Sequence, residues 1–221
     1  MKILLAGDSW GCGVWQRIPL RVIHKGIEQF MLDDGHEVVN VSTGGGKNGG
    51  AINRMLNIKD NFDYIFVFET SPLRDAGCFD EEISLTKWFH DYEDLINIIS
   101  NKRFEYYTRL NSLNKTIYLL GGCSKVDMNM VKDFSNIKVV IPSIPEFLSP
   151  GYVAPEIYVD GWVKDIDNKY DLETIDKIIE QKQLWWWLNR NCSHFKDDFA
   201  HPDRHGYEKV YNYIKETVFK L

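Results

Sequence analysis

The residues of this chain best suited to chemistry stand near its two ends. Gly7-Asp8-Ser9-Trp10 follows the first apolar run, and Asp198-Phe199-Ala200-His201-Pro202 precedes the last amphipathic stretch. A serine hydroxyl is a weak nucleophile at neutral pH. It needs a base, and a third group must hold that base in one tautomer. The Asp-x-x-His spacing offers both, since a short loop lets Asp198 reach Nδ1 of His201 while Nε2 faces Ser9. Gly7 permits a tight turn, and a helix starting there would aim the Ser9 N–H at a developing oxyanion. The chemistry this permits is nucleophilic acyl transfer. The blander reading is that Asp8 or Ser9 only caps the next helix.

Several elements must position these groups. Strands are expected at Lys2–Ala6, Glu37–Ser42, Asp63–Glu69, Lys115–Leu120 and Ile137–Ile141. Helical spacing runs from Trp15 to Leu32 through Val22, Ile23, Ile27, Phe30 and Met31, and Asp33-Asp34-Gly35 ends it. Further helices are expected around Ile52, Met55 and Leu56, and within Glu81–Ser112, with Ile83, Trp88, Leu95 and Ile99 in the core. Two more follow, at Leu172–Asn189 and through Val210, Tyr211, Ile214 and Val218. Strict β-α alternation implies an α/β fold: a three-layer α/β/α sandwich around a flavodoxin-like, five-stranded parallel sheet. In such a sheet, ligands bind where loops leave the carboxyl ends of the strands. Residues 7–13, 43–50, 70–74 and 121–124 lie there, and residues 198–205 must fold back over that edge. A single domain, 1–221, is expected. It carries an irregular insertion at about 142–171, because Pro142–Tyr170 holds four of the seven prolines and no long periodicity.

Together the two end segments resemble the GDSL/SGNH hydrolase superfamily, and the resemblance spans the chain. It implies a serine hydrolase of esterase or O-deacylase type, with Ser9 as nucleophile, His201 as base and Asp198 as its orienting acid. Asp197 has the wrong offset for the motif. The implied substrate is an O-acyl group on a carbohydrate or another small ester, and no cofactor or metal is implied. The Ser9 N–H and a glycine N–H form the oxyanion hole. Gly45-Gly46-Lys47-Asn48 aligns with a Gly-x-Ser-Asn of phage and bacterial members, making Gly45 the donor, with Gly44 and Gly46 as alternatives. The usual Gly-x-Asn-Asp after the third strand is absent. In its place stands Glu69-Thr70-Ser71-Pro72-Leu73-Arg74, similar to a Thr-Ser-x-x-Arg subset. The third donor is therefore open among Asn48, the Thr70 hydroxyl and a backbone N–H. Trp10, Lys47 and Arg74 are candidate substrate contacts. Arg204-His205-Gly206-Tyr207 is a variant of the family's continuation, with His205 read as packing at the helix entry.

Other readings compete. Gly44-x-Gly46-x-x-Gly49 matches a dinucleotide fingerprint but follows the second strand rather than the first. Asp198, His201, Asp203 and His205 offer a metal set, which Pro202 weakens by starting the helix after His201. A catalytically silent module of the same fold, binding glycans or components of a virion or cell surface, is the main alternative to an enzyme. Trp185-Trp186-Trp187 cannot share one helix face, so at least one is expected at a surface, for an oligomer or lid contact or for sugar stacking.

Composition bounds the rest. With 44% hydrophobic residues the chain can build a substantial core, and a net charge of -6 argues against a nucleic-acid or anionic-membrane binder. The short apolar run before Asp8 is too brief for a signal peptide, and no stretch approaches a membrane span, so a cytoplasmic or virion-associated protein is expected. Four scattered cysteines read as free thiols.

Overall fold

The computed structural model describes residues 1–14, 26–58, 61–75, 92–122, 124–154, 187–188, 190–195 and 201–221. Five strands, β1 (Lys2–Ala6), β2 (Glu37–Asn40), β3 (Tyr64–Glu69), β4 (Ile117–Gly121) and β5 (Ile137–Ile141), form one sheet in the order β2-β1-β3-β4-β5. All four pairings are parallel. This is the flavodoxin-like order, and its direction reverses at β1 and β3, the place where ligands bind in open α/β sheets.

Side chains alternate across the pleat, so each strand feeds two cores. Ile3, Leu5, Phe66 and Phe68 lie on one face, under α1 (Ile27–Asp33) and the last helix. Leu4, Ala6, Ile65 and Val67 lie on the other, with Ala51, Ile52 and Met55 of α2 (Asn48–Leu56) and Tyr106, Tyr107 and Leu110 of α4 (Tyr92–Asn111). Between them, α3 (Pro72–Asp75) leaves the end of β3. Helices therefore cover both faces, and the expected three layers are present. On β5, Leu119 pairs with Val139 but Leu120 pairs with Ile141. The extra residue is a bulge, and it carries Ile141 to the face opposite Ile137.

The expected boundaries shift in a few places. β2 stops at Asn40 rather than Ser42, because the Asn40 side chain accepts from Ser42 N and donates to Gly11 O and Glu28. α5 (Met128–Val131) is a single turn capped by Asp127. The stretch beginning at Pro142 is not wholly irregular: α6 (Ile144–Leu148) forms where Ser143 caps Glu146 N and Pro145 sits in the first turn. The chain closes with a 3-10 turn (Ser193–Phe195), α7 (Arg204–Ile214) and a π-helical turn (Lys215–Phe219). Leu56, expected on the helix with Ile52 and Met55, ends α2 and is exposed. Residues 15–25, 81–91 and 155–170, and most of the Leu172–Asn189 helix, fall outside the described residues.

Candidate active site

β1 ends at Ala6 and the chain turns sharply at Gly7, whose φ is 152°. A Cβ there would lie 2.8 Å from the Phe68 Cβ and 2.9 Å from its carbonyl oxygen, so glycine alone lets the two strand ends approach so closely. A helical turn follows, with Cys12 N donating to Asp8 O and Val14 N to Ser9 O, each at 3.1 Å. Asp8 is fully buried and takes the capping part, accepting from Trp10 N at 3.0 Å. It also pairs with Arg74 at 3.0 Å and takes a hydrogen bond from the Thr70 side chain. Burial pushes the Asp8 carboxyl up, and Arg74, Thr70, Trp10 and His201 pull the other way.

Capping by Asp8 leaves the next side chain to do something else. Ser9 Oγ lies 2.7 Å from His201 Nε2, although the two residues are 192 positions apart. Both are half-buried. His201 lies against the Trp10 ring, with centroids 5.9 Å apart, and Trp10 lies against Phe195 at 6.2 Å. Trp10 is only 2% exposed, so it walls the imidazole instead of meeting substrate as expected. Asp198 and Asp197 lie outside the described residues.

Just past His201, Asp203 caps α7 by accepting from Gly206 N at 2.7 Å. Gly206 is needed here, since a Cβ would meet that of Pro202 at 2.8 Å. The same carboxylate oxygen is 2.9 Å from His194 Nδ1. The sequence reading missed His194, for no local pattern links it to a residue nine positions later. His205 does not pack at the helix entry: its side chain is 77% exposed beside Glu208. Among the described residues, no three His, Cys, Asp or Glu side chains group to hold a metal.

The opposite wall comes from the loop after β2 and the end of β3. Asn48 is 2% exposed, and its amide is fully engaged. Oδ1 accepts from Thr70 N at 2.9 Å, Nδ2 donates to Thr70 O at 3.1 Å, and the side chain also reaches Asp75. The Thr70 hydroxyl, as noted, is committed to Asp8. Both side chains considered as a third oxyanion donor are thus spent on tying α2 and β1 to the end of β3. Arg74 is not a loose substrate contact either, since it holds Asp8 and reaches Gly46 O at 3.4 Å. Among the glycines, Gly44 N–H is directed at the Cys12 sulfur and Gly46 N–H donates to Thr43 O at 2.8 Å. Gly45 stands exposed between them with φ 68°. Lys47 is exposed beside it. The dinucleotide fingerprint finds its anion position taken: Asp75 accepts from Asn48 N and Gly49 N at the start of α2.

Trp185 and Trp186 lie outside the described residues. Trp187 is 42% exposed and stacks on Tyr152 with centroids 6.1 Å apart. Cys12 and Cys192 are free thiols. Among the described residues, no helix is long and apolar enough to cross a membrane.

No protein-family profile matches the chain. No curated protein matches it either. Solved structures do. The chain is similar to the psychrotrophic esterase EstA from Pseudoalteromonas sp. at 12% identity and TM-score 0.44, covering 99% of this chain and 97% of that one. It is similar to the acetyl xylan esterase AlAXEase at 12% identity and TM-score 0.47, covering 99% and 100%. A member of the lipolytic protein G-D-S-L family from Veillonella parvula matches at 14% identity and TM-score 0.39, covering all of both chains.

Proposed function

We propose that this protein is a serine hydrolase acting on ester bonds. The observation that carries the reading is the 2.7 Å contact between Ser9 Oγ and His201 Nε2 at the switch point of the sheet. A serine within hydrogen-bond reach of an imidazole is the arrangement in which base-assisted attack begins. His201 takes the hydroxyl proton as Ser9 attacks the ester carbonyl, and returns it to the departing alcohol. Water, deprotonated by the same imidazole, then cleaves the acyl-serine. Asp198 holds Nδ1 and stabilises the imidazolium. The Ser9 and Gly45 N–H groups receive the oxyanion. With Asn48 and Thr70 engaged elsewhere, the hole depends on backbone donors. The substrate class is a carbohydrate O-acyl group or a small ester, and the exposed Trp187 region is the surface for an oligomer or sugar contact.

Hydrolysis of p-nitrophenyl acetate tests this. Wild type turns over with EDTA present, while Ser9→Ala and His201→Ala each lose on the order of a thousandfold or more in kcat. Loss on chelation with recovery on adding zinc or manganese would move the chemistry to a metal. The engagement of Asn48 and Thr70 favours a second reading, a glycan- or surface-binding module of the same fold without turnover. An intact, folded wild type that never hydrolyses an activated ester would favour it.

A further inference from the structure

The segment bearing the proposed acid and base is tied off at both ends. Asp203 N donates to His194 O at 2.7 Å, and His194 Nδ1 lies 2.9 Å from Asp203 Oδ1. The two residues thus exchange a backbone and a side-chain hydrogen bond, one preceding and one following His201 in the sequence. With a carboxylate as its partner, Nδ1 carries the proton. The side chains are 11% and 20% exposed, so solvent screens the contact less than a surface pair. Each end is anchored again: Phe195 is fully buried against Trp10, and Asp203 holds the start of α7 through Gly206 N. Trp10, the residue after Ser9, in turn lies against the His201 ring.

We propose that His194 is a positioning residue: paired with Asp203, it ties the start of α7 to the 3-10 turn packed on Trp10 and so holds the His201 imidazole on Ser9. Closing a chain segment costs entropy, and a bond at the neck bears that cost before His201 has to meet Ser9. The catalytic consequence rests on the hydrolase reading; the effect on His201 does not.

Two readouts keep these apart. The first is the rate at which a fluorophosphonate phosphonylates Ser9, measured beside the melting temperature. His194→Ala should slow labelling about tenfold or more without losing the cooperative melt, and His194→Asn, whose amide can donate from nearly the same place, should recover most of it. Asp203→Ser keeps a capping oxygen for Gly206 but loses the carboxylate, so it should be slow as well. The double variant H194A/D203S should be no slower than either single one. Wild-type labelling in H194A, or losses that multiply in the double variant, would overturn the proposal. If H194A fails to fold, H194N and D203S carry the comparison, and D203S labelling at the wild-type rate overturns it. The second readout is the His201 ring resonance in NMR, with exposed His205 as reference. It should move in H194A and D203S while that of His205 stays. If wild type takes no label, the hydrolase reading fails but this readout still decides: an unmoved His201 resonance overturns the clamp.

Discussion

At the residue scale, the side chains around Ser9 divide between holding and reacting. Asp8 and Arg74 hold. Their pairing follows from burial: a carboxylate taken fully out of water needs a cation and donors beside it. Arg74→Met leaves that carboxylate buried without its cation and should cost about 3–5 kcal/mol in denaturant unfolding. Asp8→Asn combined with Arg74→Met should recover most of the loss, because no charge then remains to compensate. Cys12 is a free thiol three positions after Ser9. Burial, with Asp8 and Glu28 adding, pushes it up to about 11. A raised thiol pKa keeps the proton on sulfur at neutral pH, so alkylation by iodoacetamide at pH 7–8 should be far slower than for unfolded protein and should climb as pH rises toward 11. Fast alkylation at pH 7 would contradict this environment. The meeting of Ser9 and His201 was legible in the sequence because a local motif marks each of them. Arg74 on Asp8 was not, because 66 positions separate the partners and no periodicity connects them.

At the element scale, the strands were easiest to read. β5 coincides with its expected span, since an apolar run between turn residues has few other solutions. Side chains that return to the backbone account for the earlier end of β2, through Asn40, and for the added helix α6, through Ser143. Asn48 shows how such a bond changes a functional expectation. It tethers α2 to the end of β3 through both atoms of its amide. Asn48→Ala should therefore lower stability by about 1–3 kcal/mol, leaving the Thr70 backbone unpaired, with a smaller effect on kcat than loss of a hole donor would give. Chemical denaturation beside ester kinetics separates the two. Asp34, at the end of α1, binds Lys215 Nζ at 2.7 Å and Tyr211 OH at 2.8 Å, and hydrogen bonds from Lys215 and then Tyr211 hold its carboxyl below the usual 3.8. A depressed carboxylate stabilises the fold above its unfolded pKa and loses that contribution as pH falls through the folded value. Asp34→Asn should thus cost less than about 1 kcal/mol at pH 7, and the difference from wild type should shrink as pH falls below 3.8 and be gone only once pH lies below the lower folded value.

At the scale of the whole molecule, sheet order and the meeting of Ser9 with His201 agree. The reversal at β1 and β3 opens the crevice into which Ser9 and Thr70 lead, and α7 with its capped start returns His201 to the same edge. β-α alternation made that architecture legible, and the two end motifs picked out the two residues, Ser9 and His201, that meet at its edge. The clamp between His194 and Asp203 was hidden, because a loop neck depends on the path of the chain and not on composition. The most direct measurement is intact-mass analysis after fluorophosphonate treatment, with peptide mapping of the adduct. One phosphonyl group per chain on Ser9, absent from Ser9→Ala and strongly slowed in His201→Ala, is the result expected of a serine hydrolase. An adduct on another residue, or none on folded wild type, would contradict it.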